Sequence, residues 1–133
     1  RLIMSVYASE RDLEERYGAS EIHQRRGTLP YSAVDQALDD AAAEIDAYLW
    51  RRFQLPIDPV PRLLVTIACQ LARARLLGDA ISEAARNDQK SARAQLADLR
   101  DGRQSLPGVA EVGVTIGTGS VQQVSGERIF RRV

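Results

Sequence analysis

Apolar residues recur at three- and four-residue spacing along most of the first hundred or so positions, and that period predicts helices. The strongest stripe is Val34, Leu38, Ala41, Ala42, Ile45, Leu49 and Phe53. Ser32 stands before it as a candidate N-cap, with Asp35 three residues on, so a helix is predicted over about 32 to 54. Asp35, Asp39, Asp40, Glu44, Asp46 and Arg51 fall on its other faces. Pro56, Pro59 and Pro61 then impose a stiff, extended elbow. Pro61 also suits the first position of the next helix. That helix runs to about residue 77 and is apolar nearly all round through Ala72, as in a helix buried among others or between subunits. Gly78 is predicted to end it. Ser82 opens a third long helix, about 82 to 101. Its stripe is thin, with Ala85, Ala92, Leu96 and Leu99 alone, so it packs on one side only.

The short elbow forces the first two long helices to lie side by side and antiparallel. Leu38, Ile45, Leu49, Leu64, Ile67 and Leu71 are predicted to be buried between them. Ahead of this core, "SERDLEERYG" reads as a short helix. Ser9 and Asp12 form a capping box, and Gly18 closes the end. A further short helix is predicted from Ser20, ended by Gly27.

From Arg103 the helical period disappears. The stretch to Val133 is rich in Gly, Ser and Val. Glu111 to Ile116 alternates as a strand does, and Gly117 and Gly119 signal turns. The fold class is therefore mainly α: a small helical domain over 1–102, with three long helices and a short N-terminal helix, followed by an extended Gly/Val-rich C-terminal tail over 103–133 with a possible β-strand. A lone strand cannot satisfy its own backbone. The tail is accordingly predicted, with folding back onto its own helices as the alternative, to be mobile in an isolated subunit and to order on a neighbouring subunit or a partner protein. Ile129 and Phe130 serve there as apolar anchors, and Arg128, Arg131 and Arg132 meet carboxylates. Met4 is the expected initiator, with Arg1 to Ile3 lying upstream of it.

Composition adds to this picture by exclusion. The chain has 133 residues, room for one domain, and only 5% of them are aromatic, so its core is built from Leu, Ile, Val and Ala. Basic and acidic residues both number 18, giving a formal net charge of zero. A sequence-independent DNA binder would carry a basic excess. Lys90 is the only lysine; the other cations are arginines, whose fork-shaped donors match carboxylates. No apolar run approaches the roughly 20 residues that a membrane-spanning helix needs.

Candidate chemistry is sparse. Cys69 is the only cysteine and lies in an apolar helix, so it reads as a small buried hydrophobe rather than a nucleophile activated by His23. His23, the only histidine, reads as an exposed or capping residue; one histidine and one cysteine cannot supply a structural zinc site. No catalytic, cofactor-binding or metal-binding residue is assigned, and no cofactor is expected. The acidic set Asp35, Asp39, Asp40 and Glu44 reads first as a solvated helix face, then as the lining of a channel or a surface that meets a neighbour's arginines, and last as a metal site. Arg25 and Arg26, in the short helix before Gly27, keep open an alternative as a small helical DNA-binding regulator or other protein-interaction module.

Four segments, taken in order, resemble one family. They are "YASERDLEERYG", "EIDAYLWRRFQLP", "VPRLLVTIACQLARARLLGD" and "GERIFRR". The chain resembles the Mu-like prophage family of head–tail joining proteins, long described as a domain of unknown function, from Tyr7 to Arg132. Members continue a few residues further than Val133. The family in turn is similar to the connector, or adaptor, proteins of tailed phages. The resemblance implies a structural, non-enzymatic protein in the virion neck, present in the bacterial cytoplasm during assembly. It implies a ring of about twelve subunits related by rotation. The partners implied are the portal protein and a stopper or tail-terminator protein. DNA would pass through the channel without sequence recognition, and no membrane is involved.

Overall fold

A computed structural model describes residues 6–27 and 33–113. Ser9 opens α1, Glu10–Tyr17, through the expected capping box: its hydroxyl accepts from the Asp12 backbone, and the Asp12 carboxylate accepts from the Ser9 backbone at 2.8 Å. Gly18, at φ 94°, breaks the helical path in a conformation that side chains resist. The chain re-enters a helix at once in α2, Ala19–Gly27. The long helices follow as α3, Ala33–Leu49, α4, Arg62–Leu77, and α5, Glu83–Arg100. A single 3-10 turn, Gly78–Ala80, joins the last two. Among the described residues the protein is thus mainly helical, as the periodicity predicts.

Side-chain pairs give the directions. Arg75, near the end of α4, reaches Glu44 on α3, and Leu76 lies with Ala33 and Ala37 at the start of α3. Those two helices are antiparallel, as the short elbow requires. Arg93 of α5 reaches Glu44, and Arg100 lies over the Tyr48 ring at 5.4 Å. So α5 runs alongside α3 in the same sense and antiparallel to α4. The α1–α2 pair lies along α4. Arg16 donates to Thr66 near the start of α4, and Arg25 donates to Leu76 and Leu77 at its end.

The core is contiguous and aliphatic, centred on Leu13, Ile22, Ile45, Leu49, Phe53, Leu64, Ile67, Leu71, Leu96 and Leu99, all essentially inaccessible. Among the described residues, no charged or polar residue is buried as a whole. The four stripe residues of α5 are its four buried residues. Cys69 is buried, as expected of a small apolar residue. The apolar surface of α4 is covered by α1, α3 and α5 within the chain, so a second subunit is not needed to bury it.

Four expectations shift. The helix expected to reach residue 54 ends at Leu49. Phe53 still donates to the Leu49 carbonyl at 2.9 Å, but its backbone pairs as an antiparallel bridge with Glu111. It keeps its place on the apolar stripe while leaving the helix. Leu38 is only half-buried, because Ala37 and Ala41 occupy the centre of the stripe at that level. Pro61 acts as the N-cap of α4 rather than its first helical residue. Finally, the chain does not leave the bundle at Arg103: Leu106 is buried, Val109 packs on the core, and Glu111 pairs with Phe53. Of the strand expected over 111–116, only that single bridge at Glu111 lies among the described residues. Ser32 and residues 114–133, with the anchors expected at Arg128, Ile129, Phe130, Arg131 and Arg132, lie outside the described residues.

Two stability outcomes follow from this packing. Ile67→Ala removes a fully buried side chain at the centre of α4 and should cost about 2 to 5 kcal/mol in a denaturant melt. Leu106→Ala should cost about 2 kcal/mol or more, since Leu106 belongs to the core and not to a free tail. A melt of the Leu106 variant that coincides with the unaltered protein would place 103–113 outside the cooperative unit.

Candidate functional site

Four carboxylates along one helix, at spacings where like charges repel, call for compensation. The structure treats them unequally. Glu44 is the clasp between the three long helices. Its carboxylate accepts from Arg93 at 2.7 and 3.3 Å and from Arg75 at 3.2 Å, and its side chain is only 17% exposed. Burial alone would raise its pKa; the hydrogen bonds and charge of Arg93, then those of Arg75, outweigh it and hold the carboxyl below its ordinary value. Asp40 sits at the margin of this group, 3.9 Å from Arg75 and mostly exposed. Asp35 and Asp39 lie exposed on the surface, with no ion pair among the described residues. Asp46, one turn beyond Ala42, accepts a short hydrogen bond from the Tyr7 hydroxyl and ties the N-terminal segment to α3. The predicted acidic face therefore divides: Glu44 has its arginines within its own chain, and Asp35, Asp39 and Asp40 remain available to the outside.

The arginines account for most of the other polar geometry. Arg52, on the elbow after α3, donates through one nitrogen to the carbonyls of Leu99 and Gln104 and through the other to Glu111 at 3.4 Å. Its guanidinium also lies over the Phe53 ring at 4.8 Å. Leu99 is in the last turn of α5, where carbonyls lack helical partners, so Arg52 both caps that helix and secures the segment after it. Arg25 does the same for the end of α4. That engagement takes Arg25 out of any DNA-reading surface of the kind the regulator alternative requires. Arg73 forms a bidentate pair with Glu21 at 2.9 and 3.1 Å and covers the Tyr17 ring at 4.3 Å. Burial pushes the Tyr17 hydroxyl pKa up against the opposing charge of Arg73.

Nothing in this geometry activates Cys69. Its thiol is raised by burial, which outweighs the lowering influence of Arg16, and His23 is engaged with Glu14 instead. Among the described residues, Glu10, Glu14 and His23 bring donor atoms close enough together to hold a metal ion.

One surface feature escaped the sequence reading. Trp50, just past α3, is 57% exposed, and Arg51 stacks over its ring at 5.1 Å. Val6 and Val112 are the other large apolar residues left exposed among the described residues. A solvent-facing Trp beside Arg has the composition of an interface anchor. The available signal was local: Trp50 falls between the buried positions Leu49 and Phe53 and so points off the stripe.

Because Glu44 is ionised and paired in the folded chain, its contribution is fully present above the 4.5 of an unpaired glutamate and is lost as pH falls through its lowered folded value. Glu44→Gln should cost about 1 kcal/mol near neutral pH. It should also flatten the loss of stability as the pH falls below 4.5. Urea melts from neutral pH downward give both readings; parallel curves for the two proteins would remove Glu44 from the acid response.

Comparison with known proteins finds relatives over most of the chain. The family model described as Bacteriophage Mu, Gp36 matches residues 7–124. A Mu-like prophage protein of Haemophilus influenzae, FluMu protein gp36, is 32% identical over 108 residues, covering 77% of this chain and 77% of that protein. The match begins at Tyr7, the residue that ties the N-terminal segment to α3, and takes in every described helix. This chain belongs to the Bacteriophage Mu Gp36 family.

Proposed function

We propose that the protein is a structural subunit of a tailed phage or prophage, a head–tail connector that assembles into a ring between the portal and the stopper or tail proteins. The observation that carries the reading is its membership of a Mu phage family from Tyr7 onward. The exposed Trp50–Arg51 pair supports it as a ready-made contact, since aromatic and Arg residues dominate the energetics of protein interfaces. The role requires no catalysis and no cofactor. The virion neck is the site of action, and DNA in transit is the only nucleic acid encountered.

In such a ring the three outward carboxylates have a purpose that Glu44 does not share. Asp35, Asp39 and Asp40 repel phosphate. Facing a DNA channel, they let the duplex slide; facing a neighbouring copy, they meet its arginines. The competing reading, a small DNA-binding regulator, is disfavoured by the zero formal net charge and by the use of Arg25 as a helix cap.

The decisive experiment combines the purified protein with portal rings at near-physiological salt and examines the mixture by mass measurement and negative-stain imaging. The expected outcome is a ring seated on the portal, with Trp50→Ala weakening that association at least tenfold while leaving the melt of the free subunit nearly unchanged. No binding to the portal, with no ring, overturns the connector reading.

A further inference from the structure

The corner between α1 and α2 holds a group of side chains to which the connector reading assigns no part. Glu10 and Glu14 stand four residues apart on α1, one helical turn, and so share a face. His23 reaches them from α2, with its Nε2 3.1 Å from a Glu14 carboxylate oxygen. One donor atom from each of the three lies within 4.8 Å of the other two. We propose that Glu10, Glu14 and His23 bind one divalent transition-metal ion of the zinc class.

The backbone positions are fixed before any ion arrives. On α1, the Ser9–Asp12 capping box and the buried Leu13 set the helix between the two glutamates. On α2, Ile22, immediately before His23, is buried in the core, and Glu21 is locked to Arg73 by two hydrogen bonds. The two helices therefore present the donors from anchored backbones. The side chains keep the freedom to adjust, with His23 64% and Glu14 28% exposed. Zinc bonds to nitrogen and oxygen are about 2.0 to 2.2 Å long, which sets tetrahedral donors roughly 3.3 Å apart. The three donor atoms already lie within 4.8 Å of one another.

The donor set selects the ion. An imidazole nitrogen with two carboxylates suits zinc, cobalt(II) or nickel(II), whereas magnesium and calcium favour all-oxygen shells. Two carboxylates neutralise the divalent charge. The mutual repulsion of Glu10 and Glu14 becomes attraction to a shared cation. Three protein donors leave a fourth position for water. Bound there, the ion cross-links α1 to α2.

The test titrates zinc chloride into the full chain, free of any affinity tag, by calorimetry, while NMR follows the His23 ring protons. His23 is the only histidine, so its signals need no assignment. The expected result is one ion per chain, with the ring signals shifting in step with the heat. His23→Ala and Glu14→Gln should each weaken binding at least tenfold, and magnesium at the same concentration should leave the ring signals in place. Both substitutions are at positions outside the core, and far-ultraviolet dichroism checks that the variants fold. Ring signals unmoved by equimolar zinc, or an affinity unchanged in the His23→Ala protein, would overturn the proposal.

Discussion

Everything in this fold answers to one constraint: α4 carries apolar residues around most of its circumference and has to be enclosed. Leu64, Ile67, Ala68, Cys69, Leu71, Ala72, Ala74 and Leu76 are all buried along it. A helix of this kind has no stable solvent-facing side. Two long helices, α3 and α5, cover it from one side and run in a common direction against it. The α1–α2 pair closes the other side. Because enclosure is completed inside the chain, whatever the protein does with partners has to use other surfaces. The Trp50–Arg51 pair and the exposed Asp35, Asp39 and Asp40 are among the surfaces left for that.

Enclosure of the apolar helix is matched by a polar arrangement that relies on arginine. Glu44 draws Arg75 and Arg93 together, so one carboxylate links three helices. Arg25 and Arg52 satisfy carbonyls in the last turns of α4 and α5, where helices run out of internal donors. Arg73 joins α2 to α4 and lies on Tyr17 of α1. A lysine in these places would offer a point charge without the planar fork that reaches two acceptors at once. The arginine-rich composition thus has structural uses apart from any nucleic acid.

Much of the architecture was legible in the chain because it is written in local terms. Capping at Ser9 and Ser82, the stops at Gly18 and Gly78, and the thin stripe of α5 all depend on residues within a turn or two of one another. What escaped notice depends on distance. Phe53 leaves its helix where its neighbours Arg52 and Gln54 find backbone partners in Val112 and Ala110, far along the chain. Arg52 joins segments separated by about fifty residues, and periodicity carries no trace of such a bond. The acidic stretch of α3 read as one face, since helical spacing says where carboxylates point but not which arginine of another helix will meet them. Membership of the Mu Gp36 family was legible too, through short segments kept in order.

The placement of Cys69 has a practical consequence. It is the chain's only thiol, it is wholly buried on α4, and Arg16 of α1 and Asp12 lie close enough to influence it. Detachment of the α1–α2 pair would uncover it even if the three long helices stayed together, as sub-global opening events permit. Its rate of alkylation therefore reads the opening free energy of that pair separately from global unfolding, which makes the native sequence its own reporter of how firmly its N-terminal quarter is held.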